Sequence, residues 1–462
     1  MIFKKNTPLI PSFDAPFEGD RLNRESTIRT LAEITNQIEH PFVMTLNSPW
    51  GTGKTTFLRM WKAHLESNCM KCHCILFNAW KNDFADKPLI SFVAEIQEFI
   101  KEKDKGEDLK ALAEDIANIA KKMFVKLIPI LLKLATSGFV DLTKVKDGDK
   151  LVEALGQGCQ EVAGDALKEQ RETKQLMEEF RLKLTEFATK FKGPTGQPLH
   201  FFVDELDRCR PTYAIELLET IKHLFDVPGI VFVLAVDREQ LSHTVKAVYG
   251  QDFGASGYLK RFIDIEYVIP EPPRDLFIRH LMEDVYKFNE EDGALSNPEF
   301  EEAFRIVLTA IAKERQLTLR TIEKIFVHAS LLWSKIPDNP PPAPELYIYI
   351  PVMRELCRDG YLAFAANRDD WEAPLQDAGL DFMQEVLEML NDFSPKLFGL
   401  GQHSNFERVT SKYARHETLK YVSQYLTTHL IQLQHKPVKA MVKEEILQKL
   451  EMMAPFTPTE ME

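Results

Sequence analysis

The sequence predicts an α/β fold, with a parallel sheet interrupted by a helical insertion and followed by a helical C-terminal region. Short, continuously apolar runs such as PFVMTL, LHFFVD and GIVFVLAV read as strands buried on both faces. Stretches of helical spacing separate these runs, and strands alternating with helices imply a parallel sheet. From residue 101 to 192 the strand signals vanish, and they return abruptly at residue 199.

Taken in order, residues 21–40 place Leu22, Ile28, Leu31, Ile34 and Ile38 at the spacing of an amphipathic helix. PFVMTL is a short strand that runs directly into NSPWGTGKTTFLRMWKAHL, whose part from Lys54 to His64 has helical spacing. Residues 72–77 form a second strand, and residues 88–100 open another helix. Residues 1–100 are thus the first part of one core, 101–194 a helical insertion, and 195–272 the second part of the same core. A lid-like helical region over 273–335 precedes a C-terminal helical region over 336–462. The break between them is IPDNPPPAPE, whose successive prolines 340–342 favour extended backbone.

The insertion carries one long apolar run, MFVKLIPILLKLATSGFV at 123–140. Its length sits at the lower limit for crossing ~30 Å of hydrocarbon, and it contains Pro129, Lys126 and Lys133. The two lysines share one helical stripe. Three readings stay open: a helix buried within the chain or at an oligomer interface, a membrane-surface helix aided by Lys121 and Lys122, and a spanning helix.

The chain has 462 residues, a formal charge of -13 and 44% hydrophobic residues, a folded composition that excludes a histone-like nucleic-acid coat. The acidity is local: residues 201–400 carry 20 Lys+Arg against 35 Asp+Glu. The first twenty residues lack the continuous apolar run of a signal peptide, so a cytoplasmic chain with reduced thiols is expected. Cys69, Cys72, His73 and Cys74 match a haem-attachment string, C-x-x-C-H, but that chemistry needs export. A closed zinc site needs four ligands, and only Cys69 with His73 or Cys74 are easily co-directed, so loop and core cysteines are expected.

Between the first strand and its helix lie Ser48, Pro49, Trp50, Gly51, Thr52, Gly53, Lys54, Thr55 and Thr56. This is the phosphate-binding pattern G-x-x-x-x-G-K-(S/T), with Ser48 in place of the first glycine. Gly51 and Gly53 let successive N–H groups curl toward phosphate oxygens, Lys54 neutralises the β- and γ-phosphates, and Thr55 offers its hydroxyl to Mg²⁺. The strand FFVDE supplies the acidic partner: Asp204 for a Mg²⁺-bound water, and Glu205 as the general base for an attacking water. A carboxylate directly after the Mg²⁺ aspartate favours hydrolysis over transfer to a second substrate. The guanine-reading (Asn/Thr)-Lys-x-Asp element does not occur, its nearest approach being Thr143-Lys144-Val145-Lys146, so ATP is preferred.

With these motifs in hand, the chain resembles the KAP family of P-loop NTPases. DRLNRE, SPWGTGKTTF, ILFNAWKND, FFVDELDRCRP, IVFVLAVDRE and GYLKRFIDIEYVIPEP occur in family order between residues 20 and 272. The resemblance implies an additional-strand P-loop ATPase of the class that includes AAA+ and STAND proteins, acting as an ATP-driven switch or assembly. It also implies homo-oligomers or partner proteins of the same system, and a setting in bacterial defence against phage. Asp237 falls where a polar sensor would feel the γ-phosphate. Arg208, Arg261 and Arg320 are the candidate finger or sensor arginines. Two departures stand out: the insertion carries one apolar run where many members have membrane-spanning helices, and the second acidic residue is Glu205 rather than aspartate.

The leading expectation is therefore a Mg²⁺-dependent ATPase. The alternative is a non-catalytic, ATP-gated scaffold, which would need no base. A small-molecule kinase would need an acceptor pocket, and a nucleic-acid motor a basic track, for which only residues 401–450 offer a surplus of Lys and Arg.

Overall fold

The computed structural model describes residues 10–67, 69–85, 87–103, 107–137, 171–194, 196–285, 304–305, 308–309, 311–333 and 346–365. The chain divides into two compact units, Leu9–Pro270 and Glu271–Glu462, the latter including Met1–Pro8.

The first unit is built on five parallel strands: β1 (Phe42–Asn47), β2 (Cys74–Asn78), β3 (Leu199–Asp204), β4 (Ile230–Val236) and β5 (Ile265–Val268). Their spatial order is β2-β3-β4-β1-β5, so β4 stands between the strand that leads into the glycine-rich loop and the strand that ends in Asp204. β3 and β4 are buried along their whole length, which is why their sequences are continuously apolar rather than alternating. The two edge strands differ: β2 is mostly buried, whereas β5, paired with β1, is exposed or half-buried along its length.

Side chains alternate between the two faces of this sheet. Met44, Leu46, Phe202, Val231 and Val233 point to one core, shared with α1 (Glu25–Thr35) and α2 (Lys54–Glu66). Phe77, Phe201, Val203, Phe232 and Leu234 point to the other. That second face is covered by α4 (Pro88–Glu102), α5 (Glu107–Ser137), a helix α6 at residues 171–190, α7 (Pro211–Leu224) and α8 (Arg238–Tyr249). Two short helices, α3 (Ala79–Asn82) and α9 (Ala255–Leu259), complete the unit. Phe92 of α4 centres the second core, its ring 4.5 Å from Phe77 and 5.1 Å from both Phe201 and Phe225. The base of the insertion belongs to this core, since Ile116 and Ala120 of α5 and Phe180, Leu184 and Phe187 of α6 are fully buried in it.

The second unit is helical in its described residues. It contains α10 (Arg274–His280), a π-helical turn at Leu281–Val285, α11 (Leu319–Trp333), α12 (Leu346–Leu356) and α13 (Arg358–Ala365). Arg274 donates from Nε to the Leu317 carbonyl at 2.9 Å and from Nη2 to Gln316 Oε1 at 2.8 Å, tying α10 to the turn before α11.

Residues 123–137 of the apolar run lie in α5, and no helix among the described residues is long and apolar enough to cross a membrane. Residues 138–140 of that run, the proline-rich break at 336–345 and the basic surplus at 401–450 lie outside the described residues.

Candidate functional site

The glycine-rich loop leaves the C-terminal end of β1 while still attached to the sheet, because Ser48 N donates to the Val236 carbonyl at 3.1 Å. Gly51 and Gly53 take positive φ angles of 78° and 90°. That backbone is strained for any L side chain, and a Cβ at Gly53 would lie 3.5 Å from Arg24 Nη1. Ser48 fills the position of the usual glycine with a hydroxyl that closes the loop. Its Oγ donates to Thr52 Oγ1 at 2.7 Å, and Thr52 Oγ1 donates to the Pro49 carbonyl at 2.8 Å.

Arg24, just before α1, braces the loop from outside. Its Nη2 donates to the Thr52 carbonyl at 2.6 Å and its Nη1 to the Gly53 carbonyl at 3.2 Å. Burial lowers its pKa to about 10, against the opposing charge of Asp20. Lys54 opens α2 and folds back on its own loop: Nζ donates to the Ser48 carbonyl at 2.6 Å and to the Pro49 carbonyl at 3.1 Å. Burial lowers the Lys54 pKa, and the carboxylates of Asp207, Asp237 and Asp204 oppose that shift.

The facing wall comes from the end of β3 and the turn after it. Asp204 is buried, hydrogen-bonded to the Thr55 side chain, and accepts from Glu205 N at 3.0 Å. Burial raises its pKa, and the Thr55 hydrogen bond works against that rise. Glu205 adopts a left-handed backbone with φ 60°, a costly conformation for a residue with a Cβ. Its Oε2 accepts from Asn78 Nδ2 at 2.8 Å, and its Oε1 pairs with Arg208 Nη1 at 2.9 Å. Asn78 reaches it because β2 lies beside β3 in a register that pairs Asn78 with Asp204.

Asp207 is a hub. Its Oδ2 accepts from Trp50 Nε1 and from Asp237 N, both at 2.7 Å, and stands 3.9 Å from Lys54 Nζ. The charge of Asp207 is thus met within the chain, by two N–H donors and the nearby Lys54 ammonium. Asp237 follows β4 and caps α8, accepting from Glu239 N at 3.1 Å and Gln240 N at 3.4 Å.

Residues 48–56, Asp204, Glu205, Asp237 and Arg208 therefore converge at the C-terminal ends of β1, β3 and β4, where open parallel sheets bind ligands. Arg261 is exposed in the first unit beyond α9, and Arg320 is exposed on α11 of the second unit. Arg24, Asn78, Trp80 and Asp207 join the site without having been assigned roles from sequence. Their signal was present in the DRLNRE, FNAW and DELD strings, but only strand order brings those strings together. Cys69 is exposed and Cys72 and Cys74 are buried, and no group of three or more His, Cys, Asp or Glu among the described residues is arranged to hold a metal ion.

The family model of the KAP family P-loop domain matches residues 24–332. An uncharacterized protein of Methanocaldococcus jannaschii, MJ0182, is 27% identical over 171 residues, covering 34% of this chain and 86% of that protein. A phage T7 exclusion protein of Escherichia coli K12 is 29% identical over 70 residues, covering 15% of this chain and 9% of that protein. Among solved structures, the ADP form of the Aeropyrum pernix ORC2 protein aligns over 98% of both chains with 9% identity and a TM-score of 0.35. C. elegans PCH-2 aligns over 74% of this chain and 72% of its own, with 14% identity and a TM-score of 0.30.

Proposed function

Since the chain belongs to the KAP family of P-loop domains, we propose that it binds ATP and hydrolyses it to ADP and phosphate. The observation that carries this reading is the convergence of the Ser48–Thr55 loop with Asp204 and Glu205 at one end of the sheet. The loop N–H groups and Lys54 bind the phosphates, with Lys54 leaving the Ser48 and Pro49 carbonyls to do so. Thr55 and Asp204, a hydroxyl and a carboxylate already in contact, fit a hard oxygen-seeking cation held by one or two protein groups plus substrate phosphates. Mg²⁺ bound there supplies charge neutralisation of the β- and γ-phosphates. Glu205 takes the proton of the attacking water, and Asp237 contributes a polar group beside the γ-phosphate.

Turnover drives a switch or assembly, with another copy of the chain or a partner of the same system reading out the nucleotide state. The 70-residue likeness to a phage exclusion protein supports placing that switch in defence against phage.

Lys54→Ala is expected to abolish binding of a fluorescent ATP analogue. Glu205→Gln should retain binding and lose phosphate release. Normal hydrolysis by Glu205→Gln would remove the base assignment, and ATP binding without any hydrolysis in the native chain would favour the scaffold.

A further inference from the structure

We propose that Arg208 is a positioning residue that holds Glu205 in a resting orientation, and that the indoles of Trp50 and Trp80 hold Arg208 in place. The proposal rests on the ATPase reading. It replaces the expectation that Arg208 reaches the γ-phosphate: in this arrangement Arg208 acts on the base of its own chain.

A general base must offer a lone pair to the water it deprotonates. Each oxygen of Glu205 already accepts one bond, Oε1 from Arg208 Nη1 at 2.9 Å and Oε2 from Asn78 Nδ2 at 2.8 Å, which fixes the direction of the lone pairs that remain. The guanidinium of Arg208 lies 5.9 Å from the Trp50 ring centroid and 5.8 Å from that of Trp80. These separations are those of cation–π contacts, and two indoles share one cation. Trp50 is 40% exposed and Trp80 53% exposed, large apolar side chains left at the surface. The shared cation gives each of them work that burial in a core would not.

The restraint spans two segments. The stretch 78–83 after β2 and the stretch 205–210 after β3 are joined by Asn78 to Glu205, by Trp80 to Arg208, and by Asp83 to Arg210. In the last of these, Arg210 Nε donates to Asp83 Oδ1 at 2.9 Å and Arg210 N to Asp83 Oδ2 at 2.8 Å. A third segment enters through Trp50, which lies within the phosphate loop and donates to Asp207. Movement of that loop about a phosphate, or a partner pressing on the exposed indoles, therefore bears directly on Arg208. Release of Arg208 frees Oε1 of Glu205 for water.

The test is steady-state phosphate release by the full chain, comparing the native protein with Arg208→Ala, Arg208→Lys and Trp80→Leu. Arg208→Ala is expected to raise kcat about fivefold or more with KM within about twofold, because a restrained base becomes the populated one. Arg208→Lys keeps charge without the planar fork and should fall between. Trp80→Leu removes one of the two indoles at an exposed position and should raise kcat about twofold. In Arg208→Ala combined with Glu205→Gln the gain should vanish, which ties it to Glu205. A lowered or unchanged kcat in Arg208→Ala, or a gain that survives Glu205→Gln, overturns the proposal. The ATPase reading fails separately, by ATP binding with no phosphate release in the native chain.

Discussion

Replacing Asp207 by alanine probes how much the site depends on one carboxylate. Its Oδ2 accepts two N–H groups at 2.7 Å and lies 3.9 Å from the Lys54 ammonium, with the Asp207 side chain 1% exposed. Alanine leaves the Asp237 N–H without its acceptor at a cost of about 1–3 kcal/mol. It also takes away the nearest counter-charge of buried Lys54, a loss that costs about 3–5 kcal/mol where nothing else compensates. The Ser48 and Pro49 carbonyls continue to accept from Nζ, so the two costs do not add in full and about 3–5 kcal/mol is expected. Asp207→Asn is the informative control. Its amide oxygen can accept both N–H groups, so only the counter-charge is lost and the cost falls short of alanine's by about 1–3 kcal/mol, that of the unsatisfied N–H. Urea unfolding followed by tryptophan fluorescence measures both. A loss below about 1 kcal/mol for alanine, or equal losses for the two variants, would refute the hub.

Two further outcomes are expected. Arg24→Lys exchanges a fork that spans the Thr52 and Gly53 carbonyls for a single point donor, and should weaken nucleotide affinity about tenfold, or ~1.4 kcal/mol, in a fluorescence titration. Unchanged affinity would mean the loop supports itself. His200 is fully buried on β3, with Nε2 3.0 Å from Thr35 Oγ1, and burial lowers its pKa to about 4 from 6.5. Between those values the unfolded chain binds the proton and the native chain does not. Stability should therefore fall by about 3 kcal/mol as pH drops from 7 to 4, and this contribution should level off below. His200→Gln should flatten that part of the urea-midpoint profile, and an unchanged slope would assign the acid sensitivity elsewhere.

The parallel sheet was legible because β3 and β4 are buried on both faces and so carry unbroken apolar runs. The loop was legible because phosphate chemistry demands glycines and a lysine at fixed spacing. The edge strand β5 was not read as a strand from the sequence: its four residues IEYV are exposed or half-buried, so they form no unbroken apolar run. Long-range partners were not legible at all. Asn78 looks like the cap it also is, accepting from Lys81 N at 2.8 Å, and nothing local announces that its amide reaches across to Glu205. Arg24 sits 29 positions from Gly53, and Asp207 sits 157 positions from Trp50. The first depends on β2 lying beside β3, the second on α1 packing against α2, and the third on β4 standing between β1 and β3, all facts of the fold rather than of spacing. Ser48 shows the same limit in reverse: the departure from glycine was visible, whereas its hydroxyl bond to Thr52 required the folded loop.

A site meant for a polyanion must also fold without one, and the residues of this site solve that problem by pairing with each other. Lys54 rests on two carbonyls, Asp207 on two N–H groups, Asp204 on Thr55, and Glu205 on Asn78 and Arg208. Left unpartnered, buried groups of this kind would each cost several kcal/mol. Nucleotide therefore exchanges partners and does not fill a deficit, so its affinity reflects only the difference between the two sets. For Lys54 the exchange is favourable: neutral carbonyls leave its charge incompletely compensated, as its lowered pKa records, and a phosphate supplies a full counter-charge. Gly51 and Gly53 already hold their positive φ angles, so the loop backbone has little ordering left to do, and preorganisation of this kind lowers the cost of binding. For Glu205 the exchange runs the other way: in its proposed role as base it must first give up its bonds to Asn78 and Arg208. Under the proposed ATPase function, binding is thus the easier step and hydrolysis the restrained one, the order that the proposed nucleotide-driven switch requires.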